Sequence, residues 1–351
     1  MDFTFSAEQQ DLRAAMRDVA TDRCSPSSLR SVIDSHDAYD ADLWRLVAGE
    51  LGMVGIAVSE ANGGTGGSFV DAAVVLEESG RALFPVPLLT AVVAAAVLER
   101  GSPAAAAELL PAIAAGERVA ALVVAPEVTC ESGRLHGVAR HVIDGHHADV
   151  LVVATPDGLW AVSCSAAGVE VTGAPSIDLA RWQATVALDG AAATAIGDAT
   201  ASDAAVDLLR VALAVESVGA ARHCLNSTVD YLKTRVQFGK PIGSFQALQH
   251  RAADLAVDLE AAVSTAYYAA WAAADSPEEC PVVAPLAKAV CADAAYRIAA
   301  ETIQLHGGIG FTWEHDAHLY FKRATATRML LGDSHEQRRL VAARAKLINV
   351  S

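Results

Sequence analysis

Arg235-Val-Gln-Phe-Gly-Lys-Pro-Ile-Gly-Ser-Phe-Gln-Ala-Leu-Gln-His250 is the stretch that decides how this chain folds. It closes one long helical pattern and opens another: Gly239 and Pro241 stop a helix, and Ser244 is suited to cap the next. An arginine at a helix end beside a tight turn is placed for a two-pronged grip on phosphate. Taken alone, the same residues describe an interhelical turn with a surface arginine. Downstream, Gln304-Leu-His-Gly-Gly-Ile-Gly-Phe-Thr312 ends a further helix. Its adjacent glycines lack Cβ atoms and let a ligand approach the backbone N–H groups, although a glycine C-cap has the same signature.

Outward from these segments the chain divides into three blocks. Residues 199–351 read as a helical bundle, with helices over about 202–235, 244–274, 281–305, 316–331 and 334–347. Residues 118–198 carry six short Val- and Leu-rich runs, from RVAALVVA to WQATVAL, punctuated by Gly, Pro and Asp, which is the pattern of a small antiparallel sheet domain. Residues 1–117 are again helical, with Ser6 as a cap ahead of AEQQDLRAAMRD and a glycine-rich loop at 60–67. The expected fold is therefore mainly α with a small, shortened β domain between two helical domains.

Composition narrows the function. With 26 basic against 42 acidic residues in 351, the net charge of −16 argues against a surface that tracks nucleic-acid phosphates. The opening MDFTFSAEQQ lacks the basic and apolar regions of a signal peptide. The longest apolar run, Ala82–Leu98, contains Pro85 and Pro87 and reads as a buried helix rather than a membrane span. Six cysteines without a CxxC pair suggest reduced thiols and a cytoplasmic setting. His146-His147 and His315-x-x-His318 have no Cys or carboxylate at ligand spacing, so they read as turn and bundle residues, not metal ligands.

In combination, RVQFGKPIGSFQALQH and QLHGGIGFT resemble the acyl-CoA dehydrogenase family. SAEQQDLR, LGMVGIAVSEANGGTGGSFVDAAVVLEESGRAL and HLYFKRATATRMLLGDS extend the resemblance over almost the whole chain, with the β domain the poorest match. The resemblance implies a flavoprotein, usually a tetramer, that dehydrogenates acyl-CoA thioesters between the α and β carbons. A carboxylate takes the α proton, the flavin accepts the β hydride, and an electron-transferring flavoprotein receives the electrons. FAD would lie across a subunit interface, its ADP half held by Arg235, Gln237, Phe238, Gln246, Gln304, Gly307 and Gly308. Asp207 and Arg210 match positions that contact acyl-CoA, although an i, i+3 ion pair explains them equally well.

The chain departs from the family where its own flavin would sit. The T-E-x-x-x-G-S-D motif is missing, and Pro126-Glu127 is its only echo. The W-I-T/S segment aligns with His141-Val142-Ile143, which removes an aromatic platform and a hydroxyl. Of the family's two base positions, the late one is Gly332 and the alternative one is Leu209. Asp333 is one residue from the late position but also suits an N-cap, and Glu216 lies about 10 Å along the helix from Leu209. The resemblance thus extends to the base-deficient subunit of heterotetrameric steroid-type dehydrogenases, whose partner is a homologous subunit with the catalytic glutamate. Two alternatives stay open: a homotetramer that uses Asp333 or another base, and a flavin-free scaffold or thioester-binding subunit.

Overall fold

Side-chain caps start several helices of the first block. The Ser6 hydroxyl accepts from the Gln9 N–H and Gln9 answers on the Ser6 N–H, opening α1 (Ala7–Arg23). The computed structural model describes residues 4–35 and 39–347, so the first three residues of the opening segment lie outside it. α2 (Pro26–Ser35) and α3 (Ala41–Trp44) follow, and a second capping box between Ser68 and Asp71 opens α4 (Phe69–Arg81). α5 (Leu88–Glu99) is buried from Leu88 to Leu98, so it needs no polar face. This is the proline-headed apolar run, and at 12 residues it is far short of the ~20 a membrane span needs. No described helix is long and apolar enough to cross a membrane. α6 (Pro103–Ala114) completes the block.

The middle block holds eight strands: β1 (Ala120–Val124), β2 (Thr129–Glu131), β3 (Arg134–Ile143), β4 (Val150–Thr155), β5 (Gly158–Ser163), β6 (Val169–Ala174), β7 (Gln183–Ala192) and β8 (Thr194–Gly197). They form two four-stranded sheets, ordered β1-β4-β5-β8 and β2-β3-β7-β6. Every pairing is antiparallel, as the short punctuated runs imply, except β1 with β4, which is parallel. Alternation explains that exception. Ala121, Val123, Leu151 and Val153 face the second sheet, while Ala120, Leu122, Val150 and Val152 face the helical core. Parallel strands are at home where both faces are covered.

The third block contains α7 (Ala199–Thr234), a two-residue hairpin of β9 (Val236–Gln237) with β10 (Lys240–Pro241), α8 (Gln246–Asp275), α9 (Cys280–His306), α10 (Ala317–Met329) and α11 (Ser334–Arg344). α7 and α4 cross backbone to backbone. A Cβ on Gly219 would sit 1.8 Å from the Glu77 carbonyl oxygen, and one on Gly80 would sit 2.2 Å from that of Glu216. Beside the crossing the buried carboxylates of Glu77 and Glu78 are fully paired: Arg13 and Arg222 reach Glu77 at 2.9 Å, and Arg17 reaches Glu78 at 2.9 Å. Tyr267 adds a hydroxyl donor to Glu77.

Candidate functional site

Two regions of the molecule carry the residues singled out in the sequence, and they lie at opposite ends of α7.

At its N-terminal end, a cavity of about 640 Å³ opens between the second sheet and the bundle. Leu122 and Val124 come from β1, Val138 to Ile143 from β3, Leu209 and Leu213 from α7, and Thr325, Ala326 and Met329 to Leu331 from α10 and the turn after it. The β3/β7 register slips between Ala139 and Val142, so Arg140 and His141 bulge out of the ladder and His141 takes φ 56°. The bulge brings His141 to the cavity, with its Nδ1 3.1 Å from Gln183 Oε1. Thus His141, which replaces the expected aromatic platform, does line the site, and the lining contains no Phe, Tyr or Trp. Its one carboxylate is Glu127, exposed in the turn after β1.

Neither base position offers a carboxylate here. Leu209 lines the cavity as a buried aliphatic. Gly332 follows Leu331 in a turn where both have positive φ, 59° and 92°. Asp333 caps α11: its carboxylate accepts from the N–H groups of His335 and Glu336, both at 2.9 Å, and Glu336 answers on the Asp333 N–H. Those backbone bonds hold its pKa below the usual aspartate value. Glu216 is buried against Arg181 and Arg323, and Asp178 shares Arg323. Burial opposes its ionisation, but the two guanidinium charges outweigh that and keep its pKa low. Asp207 and Arg210 form a buried ion pair at 2.7 Å. Arg344 joins Asp207 at 2.8 Å, and Arg210 Nε donates to Gln337, which ties α11 to α7; neither residue of the pair lines the cavity.

At the C-terminal end of α7, all seven residues of the two turn motifs are exposed: Arg235, Gln237, Phe238, Gln246, Gln304, Gly307 and Gly308. Tyr231 stacks on His306 with ring centroids 4.5 Å apart, so the ends of α7 and α9 are held together and both turns emerge at one end of the bundle. Phe238 and Phe311 are 89% and 86% exposed, and Val236, Ile309 and Trp313 are more than two-fifths exposed. Gly239 and Gly307 have positive φ and need glycine for that reason. Gly308 has neither positive φ nor any atom within 4 Å of where a Cβ would stand. Nothing inside the chain requires it to lack a side chain.

Of the histidine pairs, His147 packs edge-on against Tyr39 and Trp182 in the turn after β3, and His318 stacks on Trp313. No cluster of three or more His, Cys, Asp or Glu suited to a metal occurs among the described residues.

This three-block fold, with a site between sheet and bundle, is that of the acyl-CoA dehydrogenases, and the chain belongs to that family: residues 6–117 match the model "Acyl-CoA dehydrogenase, N-terminal domain" and residues 199–346 match "Acyl-CoA dehydrogenase, C-terminal domain". Within the family it is 38% identical to acyl-CoA dehydrogenase IpdE2 of Mycobacterium tuberculosis, over 94% of each chain. Among solved structures, the Tcur3481-Tcur3483 steroid ACAD superposes with a TM-score of 0.91 at 30% identity, covering 97% of this chain and 98% of that one. The ChsE4-ChsE5 complex from Mycobacterium tuberculosis gives 0.92 at 28% identity, with full coverage of both chains.

Proposed function

We propose that this chain is the base-deficient subunit of a heteromeric acyl-CoA dehydrogenase, and that it lends the ADP-side half of an FAD site to a homologous subunit carrying the catalytic glutamate. The observation that carries this reading is the separation of the two half-sites. Leu213 and Thr234 are 21 residues apart on one unbroken helix, or about 30 Å at 1.5 Å per residue. The exposed turns therefore serve some other chain's cofactor, not a ligand in this chain's cavity.

The residues at the bundle end suit that task. The Arg235 guanidinium offers a planar fork for phosphate oxygens. Gln237, Gln246 and Gln304 bring amide donors and acceptors for a nucleotide base and ribose, and Gly308 leaves its backbone open to close approach. The exposed Phe238, Phe311 and Trp313 form an apolar surround of the kind that marks an interface. FAD, when bound, supplies the hydride acceptor for an acyl-CoA thioester. The cavity of this chain fits it poorly, having only the imidazole of His141 in place of an indole to lie on the flavin and no carboxylate at either base position. An α2β2 assembly with two flavins follows, acting in the cytoplasm on a bulky acyl-CoA such as a steroid side-chain ester and passing electrons to an electron-transferring flavoprotein. Two of the similar structures are described by pairs of chains, which supports the heteromer.

The test is co-expression with a homologous subunit that has the glutamate. The chain alone should be colourless. The complex should hold two flavins per tetramer and lose them with Arg235→Ala. Four flavins per tetramer would overturn the half-site reading, and flavin content indifferent to Arg235→Ala would leave a scaffold. The homotetramer reading has one observation in its favour, the presence of Glu127 in the lining. It requires a yellow chain whose activity alone is lost with Glu127→Gln, or with Asp333→Asn, which keeps the helix cap.

A further inference from the structure

One nucleotide can touch both turns at the end of the bundle only if they keep a fixed spacing, and a row of three rings sets it. Tyr231 stacks on His306, and the His306 ring lies 4.5 Å from that of His315. Each ring is tied to a turn or to the helix beyond it. The Tyr231 carbonyl accepts the Arg235 N–H at 2.8 Å, and His306 is the residue before Gly307. His315 Nδ1 accepts the Ala317 N–H at 3.1 Å, at the start of α10. One turn below the rings, the hydroxyls of Thr228 and Thr302 bond at 3.0 Å and fasten α7 to α9.

The backbone also decides where the protons sit. A carbonyl only accepts, so His306 Nδ1, 2.7 Å from the Thr302 carbonyl oxygen, carries a hydrogen. His315 Nδ1 accepts, so that ring holds its one hydrogen on Nε2 and is neutral. A second proton on His315 forfeits the Ala317 bond. Burial lowers the His306 pKa from its ordinary 6.5; the Thr302 carbonyl opposes this, and charge on His315 adds to it. Among the described residues around the pair, His223 on α7 is a base that burial brings down to about 4, Asp316 is already paired with Arg30 of α2 at 2.6 Å, and Glu314 is exposed.

We propose that Tyr231, His306 and His315 are positioning residues for the nucleotide half-site, and that a proton taken up by the histidine pair spreads the two turns and releases the nucleotide. The proposal rests on the reading that these turns hold the ADP end of a partner subunit's FAD. Its sense is fixed: the fold favours the neutral His306 imidazole, so the row of rings is intact above pH 6.5 and weakens as acid carries the pH below it.

The complex with the glutamate-bearing subunit tests it, with FAD release followed by flavin fluorescence from about pH 7.5 to about 5.5. FAD should bind about tenfold more weakly at the acid end, the effect of one linked proton over one unit of pH. His315→Asn offers Ala317 a side-chain oxygen in place of Nδ1 but takes up no proton, and should flatten that dependence. Tyr231→Ala should weaken FAD binding at every pH, and Tyr231→Phe, which keeps the ring, should restore it. On the chain alone, proton resonances of the imidazoles should show His306 titrating below 6.5, and moving upward in His315→Asn. Tighter binding in acid, a pH dependence that His315→Asn leaves unchanged, or binding indifferent to Tyr231→Ala overturns the proposal and leaves the half-site reading intact. Flavin content indifferent to Arg235→Ala overturns both.

Discussion

Replacing Gly332 by glutamate restores the family's base on paper, and the structure says what it would do in practice. Gly332 holds φ 92°, where an L-residue costs about 1–2 kcal/mol. Its new Cβ would stand 2.6 Å from Glu336 Oε2 and 3.3 Å from Gln337 Nε2. Glu336 is then displaced from its bond to the Asp333 N–H, which removes half of the capping box of α11 for roughly a further 0.5–1 kcal/mol. The added carboxylate also faces Glu336 and Asp333 with like charge. The sum is about 2–3 kcal/mol of destabilisation, with no gain in activity, because no Phe, Tyr or Trp lines the cavity to carry a flavin. Gly332→Ala shares the backbone strain without the charge, so it should lose somewhat less. Thermal unfolding of the three proteins, with a dye-reduction assay on each, checks both parts. A Gly332→Glu protein as stable as its parent, or one that binds flavin and dehydrogenates an acyl-CoA alone, would refute the reasoning.

Three further outcomes follow from buried groups. Glu216→Gln strands Arg181 and Arg323 without their shared counter-charge and should cost about 3–5 kcal/mol in denaturant unfolding. Because the folded pKa of Glu216 lies below its ordinary value of 4.5, its contribution is complete above that value and fades as acid reaches the lowered pKa. The parent should therefore lose stability below pH 4.5 more steeply than Glu216→Gln. Lys288 is buried, and burial brings its pKa down from 10.5 to about 8, so the folded state resists its protonation. Lys288→Met should stabilise by about 1–3 kcal/mol at pH 7, an advantage that shrinks between pH 8 and 10.5. Gly219→Ala drives a Cβ into the Glu77 carbonyl, which is backbone and cannot give way, and should reduce the yield of soluble protein or lower the melting temperature by many degrees.

Much of this architecture was legible in local chemistry. The observed α7 to α10 start and stop within a few residues of the sequence expectation, because Gly239, Pro241 and the Gly307-Gly308 turn break the helical runs. β2 and β8 were not legible: at three and four residues they are too short and too exposed to show alternation. Nor was the hairpin at Val236–Pro241, whose glycine and proline read equally as a helix stop. The seven residues of the two turn motifs were singled out because they lie in contiguous stretches of sequence, and the structure places all of them on the surface. The cavity was not, because β1, β3, α7 and α10 supply its walls from positions up to two hundred residues apart. Gln183 gave no sign of itself, being one polar residue at the start of an apolar strand. Asp207 with Arg210 was a balanced reading, and the structure shows the ion pair, reinforced by an arginine 137 residues away.

The 36 residues of α7 put the cavity and the exposed turns beyond each other's reach. Changes farther apart than about 7–10 Å, with no shared partner, act on stability almost independently. Each end of the helix is thus free to drift without disturbing the other. In a duplicated pair of genes, one copy can shed the residues of its cavity while selection on the joint assembly still preserves the turns at its far end.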